Sequence, residues 1–519
     1  MNPTTAPDRV DQLVTRMTDQ LATLIRPLCQ AVLAAPATLT ELEQSVLPAI
    51  HALGAAMLTE LCALTTTAPP LPTSPCACGQ PARYLRQRPA QVRTLLGPIT
   101  VVRPYYHCAA CRHGHAPRDA QLQLCAGSRS AGLDDLLALL GATQDSFAQA
   151  AAVLARLTLV QVSPNTVREA TERLGAALNA HTIQETARTL ATADPPALAP
   201  PPRRVYIAMD GVFAHLRARG WSEIKVGCCF EAPPGQDASH TAEVRTFRPS
   251  YLAALTEAAP FGDRLWAEAA RRGVLDADEV IVVSDGAHWI WNLARTHFPD
   301  ATEILDWFHA SAYLEPAAAA IWGNDTAAQR TWAESQRTAL WEGKVAAVLV
   351  TLAGYTAKGE GVTDALTYYT THQHRMDYPA YRARALHIGS GSVESACKQV
   401  VTARLKQAGM IWNADGAAGV ATVRAWLKSD RWTEAMALRP VRQRAYVRRV
   451  AAAAPGVELP PDPPPPAGRP TGLPPAVLAQ IQADLAEERA IHPWRRGPRR
   501  LPAHREPTVG AESPLVTTA

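Results

Sequence analysis

Two short apolar runs, RVYIAMDG (204–211) and EVIVVSDGA (279–287), each end in an Asp-Gly pair, and they constrain the fold more than any other part of the chain. A strand this uniformly apolar has both faces buried, so helices must cover both sides of its sheet. That requirement predicts an α/β core with Asp210 and Asp285 at strand ends. A third acid, Glu394, lies far along the chain in GSGSVES. Three acids from three distant segments suit a site that holds two divalent metals on phosphate oxygens. Magnesium prefers hard oxygen ligands, and two ions about 4 Å apart can activate a hydroxyl while stabilising the leaving oxygen. Convergence of the three implies an enzyme that cuts or joins nucleic acid. One Asp-Gly alone is more often a turn; the strand placement of both pairs carries the functional reading.

The segments around these runs supply the rest of a core. WSEIKVGCCFE and AEVRTFRP continue the first run as an antiparallel meander, and a helix over about 251–272 leads to the second run. After WIWNLARTHFP, the piece ATEILDWFHA adds a short strand. Three hairpin-like strands, a helix, a strand, a helix and a strand are what an RNase H-like core requires. Its first part spans 203–310 and its last part 385–450. Between them, 311–384 is rich in Ala, Leu, Glu and Arg with dispersed Trp322, Trp332 and Trp341, and reads as a helical insertion. An insertion accounts for the 108 residues (286–393) that separate Asp285 from Glu394. The stretch GSGSVESACKQVVTARLKQ predicts a long helix with Glu394 and Lys398 on one face.

A chain of 519 residues exceeds one ordinary core, so further domains are expected. Residues 1–68 read as helices, with Leu13, Met17, Leu21, Leu24 and Leu28 at helical spacing, and suit packing against a partner subunit. In 72–118, two close cysteine pairs, Cys76/Cys78 and Cys108/Cys111, flank a predicted hairpin. Two cysteine turns at the ends of a ribbon supply a tetrahedral structural Zn2+ site, with His107, His113 and His115 as possible substitutes for a ligand. The CxC half is tighter than the usual knuckle. Residues 130–182 read as a helix-turn-helix-like DNA-binding domain in which Ser163 caps a helix presenting Asn165, Thr166, Arg168 and Glu169. The tail at 451–519 is Pro-rich and contains the basic piece HPWRRGPRR.

The net charge of +4 excludes a wholesale polycation but not a local DNA-binding face. No signal-peptide pattern and no uncharged apolar window of membrane-spanning length stands out, and the remaining cysteines are scattered. The expectation is a cytoplasmic protein with no membrane partner.

Within the core, Asp210 is the candidate bridging metal ligand, with Asp285 and Glu394 on either side. Asp306 and His309 in DWFH form a second constellation, in which His309 positions a phosphate or orients a ligand and Asp306 fixes its tautomer. Trp289, Trp291 and Trp307 are candidates for stacking on bases. Arg375, Lys398, Arg404 and Lys406 are candidate phosphate contacts.

The stretches VYIAMDGV, WSEIKVG, VSDGAHWIW, FPDATEILDWFHA, HRMDYPAYRARALHIGSGSVESACKQVVTARLKQAGMIWNADGA and HPWRR resemble the ISKra-type insertion-sequence transposases of bacteria, relatives of the Mutator-like acidic-triad superfamily. The resemblance covers roughly residues 70–450. It implies an RNase H-like catalytic core with a helical insertion between Asp285 and Glu394, and an Asp-x-x-His element at Asp306 and His309. It further implies two Mg2+ (or Mn2+) ions and recognition of terminal inverted repeats in double-stranded DNA. Strand cleavage by water and transfer by a 3′ hydroxyl would follow, carried out by a homodimer or higher homo-oligomer. Two alternatives stay open on sequence: a domesticated or inactive relative that binds DNA without transposing, and a glycoside hydrolase with paired carboxylates.

Overall fold

The computed structural model describes residues 6–65, 69–125, 127–192, 204–232 and 247–440. The linker at 193–203 and the tail expected over 451–519, with its HPWRRGPRR piece, lie outside the described residues.

Helices α1 (Ala6–Ala34) and α2 (Leu39–Leu64) form a hairpin. Thr38 starts α2 through a capping box: its hydroxyl accepts the Glu41 N–H, and the Glu41 carboxylate accepts the Thr38 N–H at 2.7 Å. No α2 side chain is buried. By length and composition α2 is also the one helix among the described residues apolar enough to cross a membrane. Its uncharged run, residues 44–59 between Glu43 and Glu60, is 16 residues long, so α2 meets that limit only as a window that admits an acid.

A four-stranded antiparallel sheet follows, in the order β1 (Thr73–Pro75), β2 (Pro81–Thr94), β3 (Gly97–His107) and β4 (Gly114–His115). The β2–β3 turn closes with Thr94 opposite Gly97, whose φ of 108° suits only glycine. A short helix, α3 (Arg118–Gln121), buries Asp119 against Arg103. Next come α4 (Ala131–Thr143), α5 (Phe147–Thr158) and the 28-residue α6 (Pro164–Ala191), started by Ser130, Ser146 and Ser163, each accepting a first-turn N–H. Helices α5 and α6 are joined by five residues, of which Leu159 is left-handed (φ 56°).

The main core is a mixed five-stranded sheet. Its strands are β5 (Arg204–Leu216), β6 (Gly220–Glu231), β7 (Phe247–Ala254), β8 (Glu279–Ser284) and β9 (Thr302–Leu305), in the order β7-β6-β5-β8-β9. The first three pair antiparallel, whereas β5, β8 and β9 run parallel. Helices α7 (Ala258–Arg271) and α8 (His288–His297) make the crossovers. This sheet, flanked by helices, is consistent with an RNase H-like α/β fold. The third strand, expected over AEVRTFRP, is described from Phe247 and runs on to Ala254, while residues 242–246 lie outside the described residues. FRPSYLAA pairs with β6, and the helix expected from 251 starts only at Ala258. Ala- and Leu-rich composition favours helix locally, but pairing on the β6 edge overrides it.

After β9 the chain enters α9 (Trp307–Ala312) and then α10 (Leu314–Trp322), α11 (Thr326–Trp341), α12 (Val345–Ala353), α13 (Glu360–His372) and α14 (Tyr378–Ala383). It returns through α15 (Gly391–Ala396), a π-helical stretch Cys397–Thr402, and α16 (Ala403–Leu405), then closes with α17 (Ala414–Lys428) and α18 (Trp432–Ala437). One continuous apolar core joins the sheet, the insertion and α17.

Helices α6 and α17 cross at glycines. A Cβ on Gly175 would run into the backbone of Gly419, whereas a Cβ on Gly419 would meet the Glu172 carbonyl at 3.3 Å and the Cα atoms of Glu172 and Gly175 at 3.6 and 3.7 Å. Alanine gains about 1 kcal/mol over glycine inside a helix, and overpacking costs about 1–3 kcal/mol. Gly175→Ala is therefore expected to lower the urea midpoint while Gly419→Ala leaves it nearly unchanged. Equal behaviour of the two variants would show that this crossing is not tight.

Candidate active site

The register of β5 on β8 builds the site. Ile207 pairs with Val282, so Asp210 and Asp285 follow three residues later on each strand and leave the parallel pair at the same level. Ser284 ties the strands where they diverge: its hydroxyl accepts the Met209 N–H at 3.0 Å and donates to the Met209 carbonyl at 3.1 Å. Asp285 turns back on its own chain, accepting the Ala287 N–H at 3.0 Å. Asp210 accepts the Gly211 N–H at 2.6 Å and the Cys397 thiol at 3.4 Å.

The next parallel strand adds Asp306 directly after β9. This residue is fully buried and caps α9 by accepting the His309 N–H at 2.8 Å. Its other oxygen accepts the Ser390 N–H. That bond pins the segment before α15 against β9, and the Trp307 N–H donates to the Ile388 carbonyl beside it. Glu394 stands in the first turn of α15 with the Ser390 hydroxyl 3.4 Å from Oε1. Ligand atoms of Asp306, His309 and Glu394 lie within 4.8 Å of one another, a cluster able to hold a metal ion. Both Asp306 oxygens already accept backbone bonds, so its part is to orient. Its Oδ1 sits 3.5 Å from His309 Nδ1, which leaves the other ring nitrogen free for the site.

Charge follows from this crowding. Burial, then the neighbouring Asp285, pushes the Asp210 carboxyl up to about 7 against the pull of the Gly211 N–H, Cys397 and His309. Burial works to lower His309, but the hydrogen bond and charge of Asp306, with Asp285 and Glu394 behind it, hold the imidazolium up to about 9. Without metal, His309 is thus the countercharge of the acids. Carboxylate oxygens fit Mg2+ or Mn2+, and an imidazole in the donor set fits Mn2+ better.

The insertion roofs the site. Tyr368 on α13 stacks on Tyr313 at 3.9 Å between ring centres, and burial, then the Asp285 charge, raises both phenols. A Cβ on Gly286 would collide with Tyr368. The glycine after Asp285 is required by this contact.

Several expected contacts are corrected by burial. Arg375 is buried, paired with Glu303 at 2.5 Å and stacked on Trp291, so it braces β9 instead of facing phosphate. Arg404 is buried between the Phe147 and Trp412 rings and donates to the Gly141 carbonyl. Trp291 and Trp307 are core residues, the latter edge-on to Trp341 and Tyr378, and offer no face to a base. Trp289 is half-buried beneath the Lys225 ammonium. Lys398 and Lys406 are exposed, and Lys406 lies over the ring of Trp221.

At the start of α6, Asn165, Thr166 and Arg168 reach the surface in part, with Arg168 bonded to Asn165 and Glu172. Ser284, Ser390, Cys397 and exposed Trp221 were missed on sequence. The serines and Cys397 flank the acids in VVSDGA and GSGSVESAC, which is the signal that points to them.

The four cysteines of the first sheet converge as expected. Cys76 and Cys111 sulfurs are 3.5 Å apart and those of Cys78 and Cys108 3.6 Å, near the ~3.8 Å edge of a tetrahedron of zinc thiolates. The Cys111 N–H draws the Cys108 thiol down to about 7, so a thiolate is within reach at neutral pH. No histidine is needed to complete the set.

Residues 38–435 match UPF0236, an uncharacterised protein family. The chain belongs to that family. No curated protein matches it. The matched span of this UPF0236 member takes in α2, the cysteine sheet and the whole acidic site, and excludes α1.

Two outcomes are expected. Because the Asp210 carboxyl is raised in the fold, it favours folding at low pH, and that contribution disappears as pH rises from about 4 through about 7. Asp210→Asn should raise the melting temperature of metal-free protein by several degrees at pH 8 and by much less at pH 5; a pH-independent shift would remove the enclosed charge. Elemental analysis should find one zinc per chain, lost in Cys108→Ser together with the protease resistance of residues 72–118. A metal-free wild type with an intact sheet would eliminate the zinc site.

Proposed function

We propose that this chain is a DNA transposase of the ISKra type, which binds terminal inverted repeats and carries out metal-dependent cleavage and joining of DNA strands in the cytoplasm. One observation carries the reading: the β5–β8 register aligns Asp210 with Asp285, and the Asp306–Ser390 bond brings Glu394 and His309 to the same edge.

Asp210, Asp285 and Glu394 would hold two Mg2+ or Mn2+ ions, which supply Lewis-acid stabilisation of the attacking and leaving oxygens. The chain's own groups do the rest. The His309 imidazolium, held by Asp306, donates to a non-bridging oxygen of the scissile phosphate. In cleavage, water forms the new P–O bond while the bond to the 3′ oxygen breaks and that oxygen takes a proton. In joining, the freed 3′ hydroxyl loses its proton and attacks a target phosphate, whose 3′ oxygen leaves. The β5–β8 aspartates orient these oxygens, and the Tyr313–Tyr368 pair excludes water behind them.

Double-stranded DNA is recognised by the start of α6, where Asn165, Thr166 and Arg168 sit, with the zinc ribbon as a second contact. Exposed Lys398 and Lys406 bind backbone phosphates near α15, and Trp221 replaces the buried tryptophans as a stacking surface. The test uses labelled duplex DNA carrying the ends of the gene's flanking inverted repeats, with Mn2+ or Mg2+. Asp210→Ala, Asp285→Ala and Glu394→Ala should each lower cleavage by at least about a thousandfold while specific DNA binding stays within about threefold. Unchanged cleavage in any one variant removes that acid from the mechanism, and activity without divalent ions removes the mechanism itself.

A further inference from the structure

The α1–α2 hairpin carries an apolar surface that nothing in the described chain covers. Five exposed apolar residues of α1, Val10, Val14, Leu21, Ile25 and Val32, and five of α2, Leu39, Val46, Ile50, Met57 and Leu61, are between 41% and 73% exposed; Leu33 and Leu47 are exposed as well but lie outside these two sets. Along α1 the intervals run 4, 7, 4 and 7 residues, and along α2, read from its C-terminal end, they run 4, 7, 4 and 7 as well. At 3.6 residues per turn each set falls in one stripe about 60° wide.

The helices are joined by residues 35–38, and Arg16 pairs with Glu60 at 2.7 Å, so they run antiparallel. In that arrangement the two stripes match rung for rung: Val10 stands level with Leu61, Leu21 with Ile50 and Val32 with Leu39. The half-buried residues of α1, such as Leu13, Met17, Leu24 and Leu28, face a direction roughly 60° from its stripe. On α2, Leu42, Ala49, Leu53 and Glu60 do the same in the same rotational sense. Both stripes therefore turn to one side of the hairpin.

We infer that this five-rung face is a homodimer interface, on which the hairpin of a second copy closes a four-helix bundle. The face has the size for it. Two helices about 10 Å wide over some 33 Å give on the order of 700 Å² per copy, near the roughly 800 Å² that each partner contributes to a stable interface. A ladder with matched ends is self-complementary under a two-fold axis through the Leu21–Ile50 rung. On α1 the three arginines Arg9, Arg16 and Arg26 are offset by Asp8, Asp11 and Asp19, whereas α2 carries Glu41, Glu43 and Glu60 and no Lys or Arg, so the hairpin is net acidic. The same acidic α2 disfavours nucleic acid and anionic bilayers as occupants. The inference is independent of what the acidic site does.

Light scattering on the full chain, free of DNA, tests it. The wild type should have twice the 55.8 kDa chain mass. The double variant Leu21→Ser/Ile50→Ser should be monomeric, its dimer dissociation constant raised at least about a hundredfold, at unchanged helix content. The apolar exchange Leu21→Ile/Ile50→Leu should remain dimeric. If the serine variant loses helix, Val10→Ser/Leu61→Ser at the end rung gives the reading, with about tenfold weaker dimerisation expected. A monomeric wild type overturns the inference, as does a serine variant that stays fully dimeric. So does a monomeric wild type that sediments with phosphatidylcholine–phosphatidylserine vesicles, which would make the face a membrane contact.

Discussion

The parallel pairing of β5 with β8 is the contact on which the rest of the molecule depends. It brings Asp210 and Asp285 to one level, where their repulsion and enclosure oppose folding. The surrounding structure holds them there with neutral or cationic braces. Ser284 locks the strands just before they splay, Cys397 and the Gly211 N–H satisfy Asp210, and His309 balances the remaining charge. Such a cluster is unfavourable in isolation and favourable around cations, which is the expected trade of stability for function.

Much of this was legible in the residues. An apolar run ending in Asp-Gly marks a buried strand, and Asp285 follows the end of β8 as read. But β5 runs on to Leu216 and holds Asp210 mid-strand opposite Val226, because pairing with β6 continues past the glycine. DWFH marks a strand end with a helix cap. Solvation is what the letters do not carry. Arg375 and Arg404 read as phosphate contacts because a buried arginine stacked on an indole has the same sequence appearance as an exposed one. The tryptophans failed for the same reason, since Trp291 and Trp307 needed the insertion packed beside them before their burial could be known. The extension of β7 through Ala254, where a helix was expected, is a different case. There a locally helical composition yields to strand pairing that only the assembled sheet provides.

The insertion does more than separate Asp285 from Glu394 in the chain. Its α13 places Tyr368 against Gly286 and its α14 packs Tyr378 and Tyr381 onto β9, where their hydroxyls donate to the Leu305 and Glu303 carbonyls. The strands carrying Asp285 and Asp306 are therefore held from the insertion side as well as from the sheet. Removing the insertion would expose both, so its length reflects support of the site.

The helical domain is bound to the same site through backbone carbonyls. The π-helical turn after Glu394 leaves carbonyls without regular partners, and Arg424 from α17 donates to those of Gln399 and Val400. The same guanidinium donates to the Ala142 carbonyl, and Arg404 donates to that of Gly141. Both acceptors lie in the last turn of α4, where the helix dipole favours a cation. Two buried arginines thus clamp the end of α4 to the helix that presents Glu394. A displacement of α4 cannot occur without either stranding two buried cations, at several kcal/mol each, or carrying the Glu394 helix with it. The second course is the cheaper, so the end of α4 is tied to the helix that carries Glu394.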